Sequence, residues 1–169
     1  MNKIKSLVIN QDFVAISRLV ILVSIAAFAP LVRNQLITGS LVNAVVFISA
    51  CFFGFRKAAL VAFFPSLIAL TVGLLPLAFL PLIPFIILGN LILLSVFNLL
   101  KRHNYWQAVF TASFFKFGFL FLNSQTLINL LNQKVANQAI VMMSWFQLAT
   151  ALMGGLIAFF VLRFSLKNS

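Results

Sequence analysis

The chain has 169 residues, of which 63% are hydrophobic and 8% charged, with a mean hydropathy of +1.16. A soluble domain of this length cannot hide so much apolar surface, because much of any globule's surface stays in water; a bilayer removes the difficulty. Twelve Lys and Arg stand against one acid, Asp12, for a net charge of +11, yet the basic residues fall between apolar runs and form no aromatic-interleaved stripe, which excludes nucleic acid and places them at lipid head groups.

In chain order, residues 1–12 are polar, with Lys3 and Lys5, and the first apolar run covers about 13–32. Residues 33–39 read as a polar link. The second run, 40–55, is short and uncharged, and Arg56 and Lys57 separate it from the third, 58–75. Pro76, Pro81 and Pro84 favour a turn followed by a helix start. A fourth run, 80–100, ends at the basic loop Lys101-Arg102-His103-Asn104, and the fifth is 105–122. Residues 123–138 are polar but carry Leu127, Ile128, Leu130, Leu131 and Val135 at helix-like spacing, as in a segment lying flat on the outer membrane surface. The sixth run, 139–162, is followed by Arg163 and Lys167. Each run is near the ~20 residues of a spanning helix, and none alternates as a transmembrane strand would. The expectation is all-α: a single membrane bundle of six transmembrane helices.

Charge orients this bundle. With six spans, Lys3, Lys5, Arg56, Lys57, Lys101, Arg102, Arg163 and Lys167 fall on one face, Arg33 and Lys134 on the other, and Arg18 and Lys116 within spans. The positive-inside rule then puts both termini in the cytoplasm. Ala27-Phe28-Ala29 resembles a signal-peptidase site, but Pro30 follows it, so the first run is read as a retained helix.

The residue inventory excludes most enzyme chemistry. One acid and one histidine, His103, leave no carboxylate pair, no serine triad and no His/Asp/Glu/Cys set for a metal. One cysteine, Cys51, cannot hold an iron–sulfur cluster, and no G-x-x-x-x-G-K-[ST] is present for ATP. The chain is read as a non-enzyme with no cofactor.

Lys116 stands out instead. It lies ten residues past Trp106, ~15 Å along a helix and near the bilayer centre, where a charge is costly and usually faces an interior cavity. A site for an anionic group is the functional reading; snorkelling or a bond to helix carbonyls is the plainer one. Asn90 is near mid-depth of its run, and Gln147 lies about two turns inside the sixth. Both can share a ligand with Lys116 or stitch helices together. Trp145 suits stacking on a ligand or a place in the interfacial belt, and Asn43, just inside the outer end of the second run, suits a ligand or a helix cap. Arg33 and Gln35 share the outer side with Asn34 and Thr38. Ala151, Gly154, Gly155 and Ala158 make a small-residue face for close helix packing.

Several strings carry a family resemblance: Arg33-Asn34-Gln35 with Thr38-Gly39 and Val42-Asn43-Ala44, Pro65-Ser66-Leu67-Ile68-Ala69-Leu70 with Gly73-Leu74-Leu75-Pro76, and Pro81-Leu82-Ile83-Pro84-Phe85-Ile86 with Gly89-Asn90. Together they resemble the S components of energy-coupling factor (ECF) transporters, the vitamin-capturing subunits of bacteria. The resemblance implies a six-helix bundle in the bacterial inner membrane with a substrate site open to the outside, partnered by a transmembrane T component and two cytoplasmic ATPases. On that reading Lys116, Asn90, Gln147, Trp145, Arg33, Gln35 and Asn43 are the substrate-binding candidates. The chain departs from the family in one respect: Ala26, Ala27 and Ala29 lack the Ala-x-x-x-Ala spacing that docks the T component in many members. The competing class is a small multi-span scaffold, such as the membrane subunit of the bacterial rod-shape machinery, which binds proteins and needs no small-molecule site.

Overall fold

A computed structural model describes residues 2–32, 34–71, 77–128, 137, 140, 141 and 143–167, and these contain helices and turns but no strand. Among the described residues the bounded α-helices are α1 (Asn2–Phe28), α2 (Gln35–Thr71), α3 (Ile83–Leu100), α4 (Tyr105–Ile128) and α5 (Trp145–Lys167), with 3-10 turns at Ala29–Val32 and Leu77–Leu82.

α1 starts far earlier than the apolar run at 13. Nothing in residues 2–12 breaks a helix, since Gly and Pro are absent there, so the polar stretch joins the first turns of α1 and is not a separate tail. The expected link at 33–39 is likewise short. Asn34 caps α2, its side-chain oxygen accepting from the backbone N–H groups of Leu36 (3.0 Å) and Ile37 (3.3 Å). Asn104 does the same for α4 through Trp106 (2.9 Å) and Gln107 (3.1 Å). α3 opens with Pro84 in its first turn, where a missing N–H costs nothing.

α2 holds the second and third apolar runs. Gly54 interrupts it at φ 73°, ψ −172°, a backbone conformation open essentially to glycine alone. A continuous helix would set Asn43 and Ala62 ~28 Å apart. Instead one Asn amide and three hydrogen bonds, of 2.8, 2.8 and 3.3 Å, connect them through Lys116. α2 therefore doubles back at Gly54, two residues before the Arg56-Lys57 break read from the sequence. The expected outer segment 123–138 is also revised: with no breaker in Asn123–Ile128, α4 runs on to Ile128, while residues 129–136 lie outside the described part. The sixth run is interrupted near its start: residues 140, 141 and 143 are helical, the Ser144 hydroxyl closes a turn on the Val141 carbonyl (2.9 Å), and α5 starts at Trp145.

α2 packs on α1, α3 and α5, and α4 closes the bundle between α3 and α5. The core joins Val45, Val46, Phe47, Ala58, Val61, Leu93, Leu94, Phe97, Ala108, Val109 and Ala151, with the Phe47 and Phe97 rings 4.7 Å apart. α2 and α5 touch backbone to backbone: a Cβ on Gly154 would lie 2.7 Å from the Asn43 Cβ and 2.9 Å from the Ser40 carbonyl oxygen. The small-residue face therefore works as the sequence suggests, with Ala151, Gly154, Gly155 and Ala158 all buried.

The outside of the bundle is as apolar as its inside. Phe13, Phe28, Leu99, Phe114, Leu122 and Phe164 are each more than 60% exposed. Four helical stretches, Phe13–Val32, Gln35–Ile68, Leu80–Leu100 and Trp145–Ser165, are long and apolar enough to cross a membrane. The chain has the build of a membrane protein. α4 is long enough as well, but Gln107, Lys116, Asn123 and Gln125 dilute it and it is not among the four.

Candidate functional site

The polar centre of the bundle is Lys116. It is 2% exposed and lies ~16 Å along α4 from Tyr105. Its ammonium donates to Asn43 Oδ1 and to Asn90 Oδ1, both at 2.8 Å. With their oxygens committed to the lysine, the two amides turn their nitrogens elsewhere. Asn43 Nδ2 donates to Thr150 Oγ (3.4 Å), whose hydroxyl donates to the Gln147 carbonyl (3.2 Å). Asn90 Nδ2 donates to the Ala62 carbonyl (3.3 Å). One ammonium thus links both halves of α2, α3, α4 and α5.

Local sequence makes this geometry possible. The Asn34 cap starts α2 early, so Asn43 sits two turns inside the helix and fully buried. This corrects its alternative reading as a helix cap. Gly154 lets α5 approach α2 closely enough for Thr150 to meet the Asn43 amide. Gly89 lies against Leu120 of α4, and its neighbour Asn90 is brought to Lys116.

The electrostatics are unusual. Lys116 is the one charged side chain among the buried described residues. Burying an ion without a counter-charge costs several kcal/mol, and each hydrogen bond to it returns about 1.5–3 kcal/mol. Two neutral amides offset much of that cost, and no described side chain balances the charge itself.

The other candidates scatter. Gln147 lies in the first turn of α5, its N–H on the Ser144 carbonyl (2.9 Å), rather than two turns deep. It joins the cluster through its backbone oxygen, and its side chain is half-buried. Trp145 is 70% exposed and stacks on Phe117 with centroids 5.2 Å apart. Gln35 opens α2, eight residues from Asn43, ~12 Å along the helix. Arg33 lies outside the described residues. Thr150 and the Ala62 carbonyl were missed. Thr150 is four residues before Gly154, so the small-residue face pointed to it; no side-chain pattern flags a backbone carbonyl.

Among the described residues no three of His, Cys, Asp and Glu come together to hold a metal ion. A comparison with protein families, curated proteins and solved structures finds no match for this chain.

Proposed function

We propose that the chain is the substrate-capture subunit of an ECF-type uptake transporter in the bacterial inner membrane, taking a small anionic, vitamin-like molecule from outside. In this reading the two halves of α2 cross separately, giving six crossings with both termini in the cytoplasm. A T component and two ATPases supply the energy. The observation that carries the proposal is the Lys116 cluster: a buried ammonium held by side chains from two other helices, with no acid beside it among the described side chains. An unbalanced charge at mid-depth has a reason to exist if an anion joins it in the working cycle. The fold-back of α2 at Gly54 supports the crossing count, and the eight basic residues assigned to one face support the orientation.

A second reading rests on the same cluster. Both amides are already engaged with the ammonium, as in a permanent clamp between helices. That suits a multi-span scaffold with no small-molecule site.

Uptake separates the two. Cells making the chain should accumulate substrate only with the T component and ATPases present, and the purified chain alone should hydrolyse no ATP. Accumulation by the purified chain driven by an ion gradient contradicts the proposal. Cysteine labelling should reach position 134 from outside and positions 57 and 102 from the cytoplasm. Labelling of 57 and 134 from one side contradicts six crossings.

A further inference from the structure

The hydrogen-bond inventory around Lys116 is lopsided. An ammonium has three hydrogens, and among the described residues two are taken. Asn43 and Asn90 each spend one amide hydrogen and keep one. The hydroxyls of Ser40 and Ser113 are buried and have no partner among the described residues. Ser113 precedes Lys116 by three residues on α4, and Ser40 precedes Asn43 by three on α2, so each shares its neighbour's helix face one turn away. Ser40 and Asn43 also border Gly154 together. Five polar hydrogens at the centre are therefore uncommitted among the described residues, and a single positive charge stands among them with no negative one.

This imbalance selects a ligand class. Buried donors are satisfied in native structures, and a group that accepts without donating meets the need. A carboxylate has two oxygens, about four acceptor sites and one negative charge. It cancels the Lys116 charge and leaves none over. A phosphate monoester carries nearly two charges, and no second buried cation stands among the described residues to balance the surplus. A cation would add to the lysine, and a neutral molecule would leave it uncompensated.

We infer that the ligand at Lys116 is a monocarboxylate, bound through its carboxylate by the Lys116 ammonium, the hydroxyls of Ser40 and Ser113, and the amide N–H groups of Asn43 and Asn90. This rests on the substrate-capture reading above. On binding, the carboxylate takes the ammonium's third hydrogen and the spare N–H of each amide, whose other N–H stays on Thr150 or the Ala62 carbonyl.

The test uses the purified full-length chain in detergent, with thermal unfolding and calorimetric titration. The probes are three monocarboxylates (biotin, nicotinate, lipoate), the primary amide of each, and the phosphate ester pyridoxal 5′-phosphate. At least one carboxylate should bind and raise Tm, and its amide should bind about 100-fold more weakly. Ser40→Ala and Ser113→Ala should each weaken the carboxylate about tenfold, as loss of a hydrogen bond to a charged group does. Lys116→Met should abolish binding; if that chain does not fold, the two serine variants carry the test. Binding of the amide or the phosphate ester as tight as the carboxylate's, yet lost in Lys116→Met, overturns the ligand class and leaves capture at Lys116 standing. Carboxylate binding that is unchanged in Lys116→Met overturns both. Failure of all three carboxylates to bind overturns the inference.

Discussion

Lys116 and Lys101 each end on a protein oxygen, and they differ in what surrounds that bond. Lys101 lies half-buried in the turn between α3 and α4, and its ammonium donates to the Ala50 carbonyl of α2. Ala50 is in the last turn before the Gly54 break, where helix carbonyls lose their usual partners and carry partial negative charge. Nearby cations also rest on rings: the Arg18 guanidinium is 5.6 Å from the Phe52 ring centre, and Lys57 Nζ is 5.9 Å from that of Phe53. Exposed Arg56, Lys57 and Arg102 mark this end as wet. A cation here keeps much of its hydration, so the bond orders the elbow at little cost. Lys116 is 2% exposed. Its bonds come from two side chains placed by separate helices, and no acid meets it among the described side chains. The boundary lysine is explained by the fold; the central one is what the capture proposal is meant to explain.

That contrast can be broken by measuring stability at both places. Replacing Asn43 and Asn90 together by Leu strips the ammonium of both described acceptors and should cost about 3–5 kcal/mol, the scale for a buried charge that loses its partner. Chemical unfolding in detergent should show it as the largest loss in the series. Gly154→Val drives a side chain into the Asn43 Cβ and the Ser40 carbonyl, and should cost about 1–3 kcal/mol through overpacking. Gly54→Ala meets no atom within 4 Å, so its cost is backbone strain alone, again about 1–3 kcal/mol, and it should loosen the α2 elbow first. Hydrogen exchange at residues 50–57 would locate that effect. Lys101→Met should cost no more than about 1 kcal/mol. If Lys101→Met destabilises more than the double Asn variant, the proposed difference between boundary and centre is wrong.

Much of the architecture was legible because it follows from local chemistry. The first, fourth and fifth apolar runs fall in α1, α3 and α4, and the basic loop at 101–104 and the Pro84 helix start appear where composition and proline geometry place them. Boundaries failed where polar residues were read as loop. Residues 2–12 and 123–128 are helical because nothing in them stops a helix, and the sequence scale for membrane burial says nothing about helices that project beyond it. At the site, Lys116 and Asn90 were legible from depth. For Asn43 the sequence leaves a ligand site and a helix cap both open, because the second run starts at 40; the Asn34 cap moves the helix start upstream and carries Asn43 inside. The partnership with Thr150 depends on how closely α2 and α5 approach, a tertiary property that only the small-residue face hinted at.

The sharpest check on the central claim is a comparison of the small molecules that co-purify with the wild-type chain and with Lys116→Met. The substitution removes the buried charge while keeping length, and the freed Asn43 and Asn90 amides can pair with each other, so the variant should stay folded, with Tm equal to or above wild type. Mass spectrometry of the extracted molecules should find an anionic compound with the wild-type chain and none with the folded variant. The same compound in equal amount from both, or none from either, would assign Lys116 to the clamp and contradict the capture account.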